Sequence, residues 1–160
     1  GYLEFKLEIL RVKAQSYERD GQDEKATIIL LKVIDEAEKN KYQKTLFLAN
    51  LRLALIYEKA GHYKQCYQHL CKAKEFHSIH SIDSIYAIYY VRASSYFRHT
   101  DQQDSAIVYA KKALNYAPQY NDDLNITDSH MLLGALLSNS SLSKSNIHGS
   151  PQGCGLLGFQ

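Results

Sequence analysis

The residues of this sequence that could do metal chemistry lie on one predicted helix. His62, Cys66 and His69 are spaced i, i+4 and i+7, which places them on one helical face. Histidine and cysteine are the ligands that zinc prefers, so a fourth ligand from a neighbouring helix would complete a site. Cys66, however, stands where two similar segments have Ala26 and Ala106, which indicates a small core residue. We therefore expect no metal and no cofactor.

The sequence contains no motif of an enzyme active site. It has no phosphate-binding loop, no Gly-x-Ser-x-Gly and no His-Glu-x-x-His. Catalysis needs a nucleophile or an acid–base pair held in a sheltered cleft, and no such pattern is found. The sequence therefore predicts a protein that is not an enzyme and has no catalytic residues.

Charge and composition argue against two classes of partner. The 160 residues carry a formal net charge of +2, with 22% charged residues, and contain no run of five or more like charges. Nucleic-acid-binding domains usually concentrate basic residues on one surface, so we expect no nucleic-acid partner. No apolar stretch reaches the roughly 18 residues needed to cross a bilayer, so we expect no membrane insertion.

The cysteines bear on the compartment. There are three, an odd number, in a chain long enough to form its own core. Cys66 and Cys71 are five residues apart on one predicted helix. The sequence therefore predicts no disulfide framework, and it favours the cytoplasm over the periplasm without fixing the compartment.

A short pattern recurs along the chain at intervals of 40, 39 and 41 residues. Its four copies are Ala14-x-x-Tyr17, Ala54-x-x-Tyr57, Ala93-x-x-Tyr96 and Gly134-x-x-Leu137. Self-similarity at such a period is typical of repeat proteins, in which each unit buries its apolar face only by stacking on its neighbours. The sequence therefore predicts a repeat architecture.

Apolar residues at three- and four-residue spacing predict an all-α body. The predicted helices are 2–19, 22–40, 44–60, 62–77, 83–98, 103–116 and 125–138. Gly21 and Gly61 fall between paired helices, where a positive φ favours glycine. The third hairpin has no such glycine, and either Asp101 or Asp104 is expected to cap its second helix.

These helices define the predicted domains. The repeat domain is 1–138, with repeats at about 3–40, 43–78 and 83–118 and a partial repeat at 125–138. Serine and glycine dominate the tail 139–160, which is either non-native sequence or an improvised cap on the last helix.

The recurring pattern and its turn glycines resemble tetratricopeptide repeats, in a long variant of about 40 residues per unit. The clearest copies are Leu53-Ala54-x-x-Tyr57-x-x-x-Gly61-x-Tyr63 and Ala106-Ile107-x-Tyr109-Ala110-Lys111-Lys112-Ala113-Leu114-x-x-x-Pro118. The positions that fit the repeat are Ala14, Tyr17, Gly21, Ala26, Ala54, Tyr57, Gly61, Cys66, Ala93, Tyr96, Ala106, Pro118 and Gly134. The resemblance implies a right-handed superhelical solenoid of antiparallel helix pairs, with about three hairpins and one additional helix.

The resemblance also implies a binding surface, because the first helix of each pair lines the concave groove in this family. The corresponding residues here are Arg11, Gln15, Arg19, Leu51, Leu55, Lys59, Tyr90, Ser94 and Arg98. They predict an apolar middle beside a basic row, which suits a peptide with apolar anchors and carboxylate groups. The alternative is that the basic row is only a solvated rim. The carboxylate clamp of chaperone-binding members is not reproduced.

Two functions follow as expectations. The first is a non-catalytic protein or peptide interaction module, part of a larger bacterial signalling or scaffolding protein, with self-association also possible. The alternative is a peptide-responsive sensory domain that controls an attached transcription-regulator or kinase output domain through the curvature of the superhelix.

Overall fold

A computed structural model of the chain describes residues 1–77, 83–116, 131 and 134. This part of the chain is helical and has no strands, which confirms the all-α prediction. The helices are α1 (Tyr2–Arg19), α2 (Asp23–Lys39), α3 (Gln43–Lys59), α4 (Tyr63–His77), α5 (Asp83–His99) and α6 (Gln103–Tyr116). Each begins and ends within one residue of its predicted bounds. Of the predicted helix 125–138, only residues 131 and 134 are described, and both are helical.

The chain divides into two compact units, Gly1–His80 and Ser81–Gln160. In the first unit α1 packs against α2 and α3 packs against α4, while α3 also contacts both α1 and α2. In the second unit α5 packs against α6. The pairs α1–α2, α3–α4 and α5–α6 thus form the three predicted hairpins. No helix within the described residues is long and apolar enough to cross a membrane.

The core of the first unit contains one apolar side of each of α1, α2 and α3. Its buried members are Leu7, Ala14, Ala26, Leu30, Val33, Ile34, Ala37, Ala49, Leu53 and Ile56. Tyr17 and Tyr57 are partly buried against this cluster. The predicted small residues Ala14, Ala26, Ala54 and Cys66 are all at most 1% exposed. Small side chains at these points let neighbouring helix backbones approach closely.

The second unit has a core rich in aromatic rings. Ala93 and Ala106 are fully buried, and Tyr96 is also buried. The rings of Phe97 on α5 and Tyr109 on α6 have their centroids 5.1 Å apart, at an interplanar angle of 47°. Aromatic pairs at such separations stabilise packing beyond the area that they bury. Pro118, the predicted end of this hairpin, lies outside the described residues.

Four turns share one backbone conformation, in which a single residue has positive φ. These residues are Gly21 (φ 73°), Lys41 (φ 58°), Gly61 (φ 73°) and Asp101 (φ 57°). At the first turn the Gly21 N–H donates to the Glu18 carbonyl (3.1 Å), and the next N–H, of Gln22, donates to the Tyr17 carbonyl (2.8 Å). The other three turns repeat both hydrogen bonds, a helix C-terminal motif of the Schellman type. Asp101 therefore takes the glycine position at its turn.

These hydrogen bonds correct the predicted alignment of the third repeat. The carbonyls that accept the second bond belong to Tyr17, Tyr57 and Phe97, which are spaced by 40 residues throughout. Phe97 rather than Tyr96 is thus equivalent to the earlier tyrosines, and Ser94 rather than Ala93 is equivalent to Ala54. The prediction was wrong by one residue because α5 contains two overlapping matches to the pattern, Ala93-x-x-Tyr96 and Ser94-x-x-Phe97. Each has a small residue followed three positions later by an aromatic one.

Candidate functional site

With one exception, the predicted groove residues of the first unit stand near the contact between α1 and α3: Arg11 and Lys59 pair with the glutamates of this contact, and Gln15 and Leu55 are one turn along from them. Arg11, Gln15 and Leu55 are partly exposed, and Lys59 is exposed. Leu51 is buried, with 3% of its surface accessible, so it offers little surface to a ligand. We call the four accessible residues, Arg11, Gln15, Leu55 and Lys59, the α1–α3 seam.

Arg19 is the exception. It is exposed and lies two heptads after Phe5, on the same side of α1. The equivalent residues on α3, 40 positions later, are Thr45 and Lys59, and both contact α1 side chains. Because the α3 residues face back toward α1, Arg19 occupies the side of α1 that points away from α3.

One end of the seam is built around a buried carboxylate. Glu18 on α1 has 4% of its side chain exposed, and it accepts hydrogen bonds from Lys59 and from Arg52 (3.2 Å), both on α3. Burial alone would raise the pKa of Glu18, but the hydrogen bonds and charges of Lys59 and Arg52 outweigh it and lower the pKa. Lys59 is therefore partly neutralised within the protein.

The other end of the seam contains a second carboxylate with a similar role. Arg11 donates through Nε (3.0 Å) and lies 2.9 Å through Nη2 from one oxygen of Glu8. Thr45 on α3 donates its hydroxyl to the other oxygen (2.8 Å). Partial burial opposes ionisation of Glu8, yet these donors and the nearby Lys44 lower its pKa.

The contacts that Glu8 and Glu18 make with α3 were not predicted. Of the predicted basic row, Lys59 pairs with Glu18, while the groove residue Arg11 pairs with Glu8 and Arg52 adds a second cation at Glu18. Lys44 also lies near Glu8, so the cations around the seam are largely paired and leave a small excess of positive charge. The sequence does contain a hint of the pairing between Glu18 and Lys59. These two residues are 41 positions apart, close to one repeat length, and Arg52 lies 34 positions after Glu18.

The groove residues predicted on α5 are placed differently. Tyr90 is buried, and its ring stacks on Tyr116 at 5.3 Å between centroids. Burial, followed by the influence of Tyr116 and other tyrosines, raises the pKa of Tyr90, so its hydroxyl stays protonated. The buried Ser94 hydroxyl donates to the Ala106 carbonyl on α6 (2.7 Å). Neither residue presents a surface to a ligand.

Arg98 is partly exposed, but in the corrected alignment it is equivalent to Glu18 and Glu58 and not to Lys59. Its carbonyl takes the place of the Glu18 and Glu58 carbonyls in the turn hydrogen bonds. The true equivalent of Lys59 is His99, which is exposed. The basic row of the first two hairpins therefore continues as a histidine in the third.

His69, one of the possible metal ligands, is held in a hydrogen bond and a ring stack. Asn50 donates its side-chain N–H to the Leu46 carbonyl (2.8 Å), so its oxygen accepts from His69 Nδ1 (2.8 Å). The imidazole stacks on Tyr57 with centroids 5.4 Å apart and an interplanar angle of 14°. Burial, with a smaller effect of Lys72, lowers the pKa of His69 to about 4. The ring is therefore neutral at physiological pH.

The remaining candidate ligands do not gather around His69. His62 is exposed, whereas Cys66 is a buried thiol with 1% of its surface accessible. Among the described residues, no group of three histidine, cysteine or acidic side chains is arranged to hold a metal ion. Each of these side chains is accounted for by packing or by solvent.

Cys71 corrects another expectation. It is disulfide-bonded, whereas Cys66 is free, so a bond is present although the sequence predicted no disulfide framework. The argument for a reducing compartment depended on unpaired cysteines, and it loses its support. The sequence and the structure therefore leave the compartment undetermined.

The seam can act chemically as a polar surface with a small excess of positive charge beside a partly exposed leucine. That combination supports recognition of a carboxylate next to an apolar side chain. Comparisons of the chain with protein-family models, with curated proteins and with solved structures found no match.

Proposed function

We propose that the chain is a non-catalytic peptide-binding module, a tetratricopeptide-like segment of a larger bacterial signalling or scaffolding protein. The observation that carries this proposal is that the turn inside each hairpin, at Gly21, Gly61 and Asp101, has the same two hydrogen bonds and recurs every 40 residues. Like turns at a fixed period support a series of similar hairpins, and the stacked hairpins of repeat proteins serve as extended binding surfaces.

The ligand site in this proposal is the α1–α3 seam. Leu55 supplies an apolar contact, and Lys59 supplies a cation that is 49% exposed although it also pairs with Glu18. Because most cations around the seam are paired with Glu8 or Glu18, it suits a peptide with a single carboxylate beside an apolar anchor. A strongly acidic ligand would be repelled by Glu8, whose side chain is 33% exposed.

A binding measurement with matched variants tests this function. Short peptides with an apolar residue beside a carboxylate would be screened against the full chain, and affinities measured by fluorescence anisotropy. Lys59→Gln should weaken binding about tenfold, which corresponds to about 1.4 kcal/mol for the lost charge contact. Leu55→Glu should weaken it further.

Lys32→Gln is the control, because Lys32 is exposed on α2 and outside the seam. It should leave the affinity unchanged. Equal effects of Lys59→Gln and Lys32→Gln, or no binding of any such peptide, would contradict the proposal. Amidation of the peptide carboxylate should reproduce the loss seen with Lys59→Gln.

A further inference from the structure

The outer side of α1 carries apolar side chains that are open to solvent. Phe5, Ile9 and Val12 are 65%, 53% and 55% exposed, and their spacing of four and three residues puts them on one helical face. We call these three residues the α1 apolar row. Arg19 continues this side of the helix toward the C-terminal end.

The equivalent positions on α3 are covered by the preceding hairpin. Forty residues after Phe5 and Ile9 stand Thr45 and Ala49, which are 1% and 0% exposed. The cover comes from the first hairpin, since α3 packs against both α1 and α2. The α1 apolar row thus occupies the same positions on α1 as Thr45 and Ala49 occupy on α3. On α3 these positions are buried under the first hairpin, whereas on α1 they are exposed.

The chemistry of the observed interface defines what would fit on the α1 apolar row. On α3, Thr45 meets Glu8, and both Arg52 and Lys59 meet Glu18. On α1 the corresponding residues are Phe5, Val12 and Arg19, so two polar positions have become apolar and the last one stays cationic. A helix that covers them therefore needs apolar side chains along most of its length and a carboxylate at its C-terminal end.

Helix α3 itself shows such a pattern. Where α1 presents Glu8, Arg11, Gln15 and Glu18, α3 has Leu48, Leu51, Leu55 and Glu58 at the positions 40 residues later. The three polar positions are replaced by leucine, and the final glutamate is retained. A helix with the sequence of α3 is therefore complementary to the α1 apolar row and Arg19.

We propose that the α1 apolar row binds an amphipathic helix, lying parallel to α1, that presents a leucine-like side chain to Phe5 and a carboxylate to Arg19. The contact repeats the way in which α1 covers α3. Its specificity comes from the carboxylate, because an exposed apolar row alone does not select the direction of a bound helix.

A labelled peptide with the sequence of α3, residues 43–60, tests the proposal. Its leucines and Glu58 are kept, and its opposite face is made polar so that the peptide stays soluble. Binding to the full chain is measured by fluorescence anisotropy. Val12→Asp should weaken binding at least about tenfold, because it places a second carboxylate close to Glu58 of the peptide in a partly buried contact. Ile28→Asp is the matched control, since Ile28 is 55% exposed on α2.

A charge swap makes the test specific. Arg19→Glu in the protein should weaken binding several-fold, and Glu58→Lys in the peptide should restore it. Circular dichroism establishes that each variant remains folded. The proposal is overturned if Val12→Asp and Ile28→Asp have equal effects, if the charge swap gives no rescue, or if the peptide does not bind. It is also overturned if sedimentation shows a dimer of the chain that Val12→Asp dissociates, because a second copy would then be the occupant.

Discussion

Single residues decide how much charge the α1–α3 seam can offer to a ligand. Glu18 is the clearest case, since it is buried and takes hydrogen bonds from two cations of the next hairpin. A buried carboxylate is tolerated only when its partners compensate for the lost hydration. Glu18 therefore links α1 to α3 and at the same time lowers the charge available at Lys59.

Glu18→Gln should lower the free energy of unfolding by about 1–2 kcal/mol at neutral pH. A fully buried pair would cost more, but Lys59 and Arg52 remain in contact with water after the change. Because the folded pKa of Glu18 lies below the ordinary 4.5, its contribution is present above that pH and is lost as the pH falls through the folded pKa.

Urea unfolding at neutral pH and at a series of pH values below 4.5 measures this contribution. The difference in unfolding free energy between the wild type and the Glu18→Gln variant should be present at neutral pH and shrink as the pH falls. Glu38→Gln, on an exposed position of α2, should change stability by no more than about 0.5 kcal/mol. A difference between wild type and Glu18→Gln that is constant with pH would show that the ionised carboxylate does not contribute.

At the scale of the element, the turns determine where each helix ends. The positive-φ residue lets the chain leave the helix while two backbone N–H groups reach its last carbonyls. Glycine adopts this conformation without strain, whereas Lys41 and Asp101 adopt it with a β-carbon present. The four turns thus share a geometry but differ in conformational cost.

Exchanging residues between turns tests this account. Lys41→Gly should raise the free energy of unfolding by about 0.5–1 kcal/mol, because it relieves the positive φ. Gly61→Ala should lower it by about 1 kcal/mol. A β-carbon at Gly61 would meet no atom within 4 Å, so any loss comes from the backbone conformation alone. Gly61→Asn should cost less than Gly61→Ala, since asparagine tolerates this region better. Thermal unfolding that ranks alanine above asparagine would refute the explanation.

At the scale of the whole molecule, the nearly balanced charge limits how electrostatics can act. A net charge of +2 over 160 residues produces no strong long-range field to attract an acidic ligand. Any carboxylate recognition must therefore come from short-range contacts at the seam. Such contacts influence dissociation more than association.

The salt dependence of peptide binding should reflect this balance. Between about 0.05 and 0.5 M salt, the association rate of a seam-binding peptide should change by less than about threefold, while its dissociation rate rises more. The Lys59→Gln variant should show a weaker salt dependence of dissociation than the wild type. Stopped-flow fluorescence measures both rates. A steep dependence of the association rate would instead require a larger basic surface than the seam provides.

Helix positions and hairpin pairing could be predicted from the sequence because they depend on local signals. Apolar spacing gives the helices, and Gly21 and Gly61 mark two of the turns. The alignment on α5 failed because Ala93-x-x-Tyr96 and Ser94-x-x-Phe97 fit the pattern equally well. Only the backbone hydrogen bonds at Asp101 distinguish them, and a sequence pattern does not contain those bonds.

By itself, the sequence determined where helices α1 to α6 lie and that small residues such as Ala14, Ala54 and Cys66 are buried, since periodicity and residue volume are local properties. Gly134, predicted at the equivalent position of a fourth repeat, is exposed instead. The tertiary structure decided which side chains remain accessible. It buried Leu51, Tyr90 and Ser94, paired Lys59 with Glu18, and left Phe5 and Val12 in solvent. Ser94 and Tyr90 contact α6 of their own hairpin, whereas Lys59 and Glu18 are 41 positions apart, and all of them meet their partners only when the helices pack. Their charges and exposed areas therefore could not be read from any one repeat.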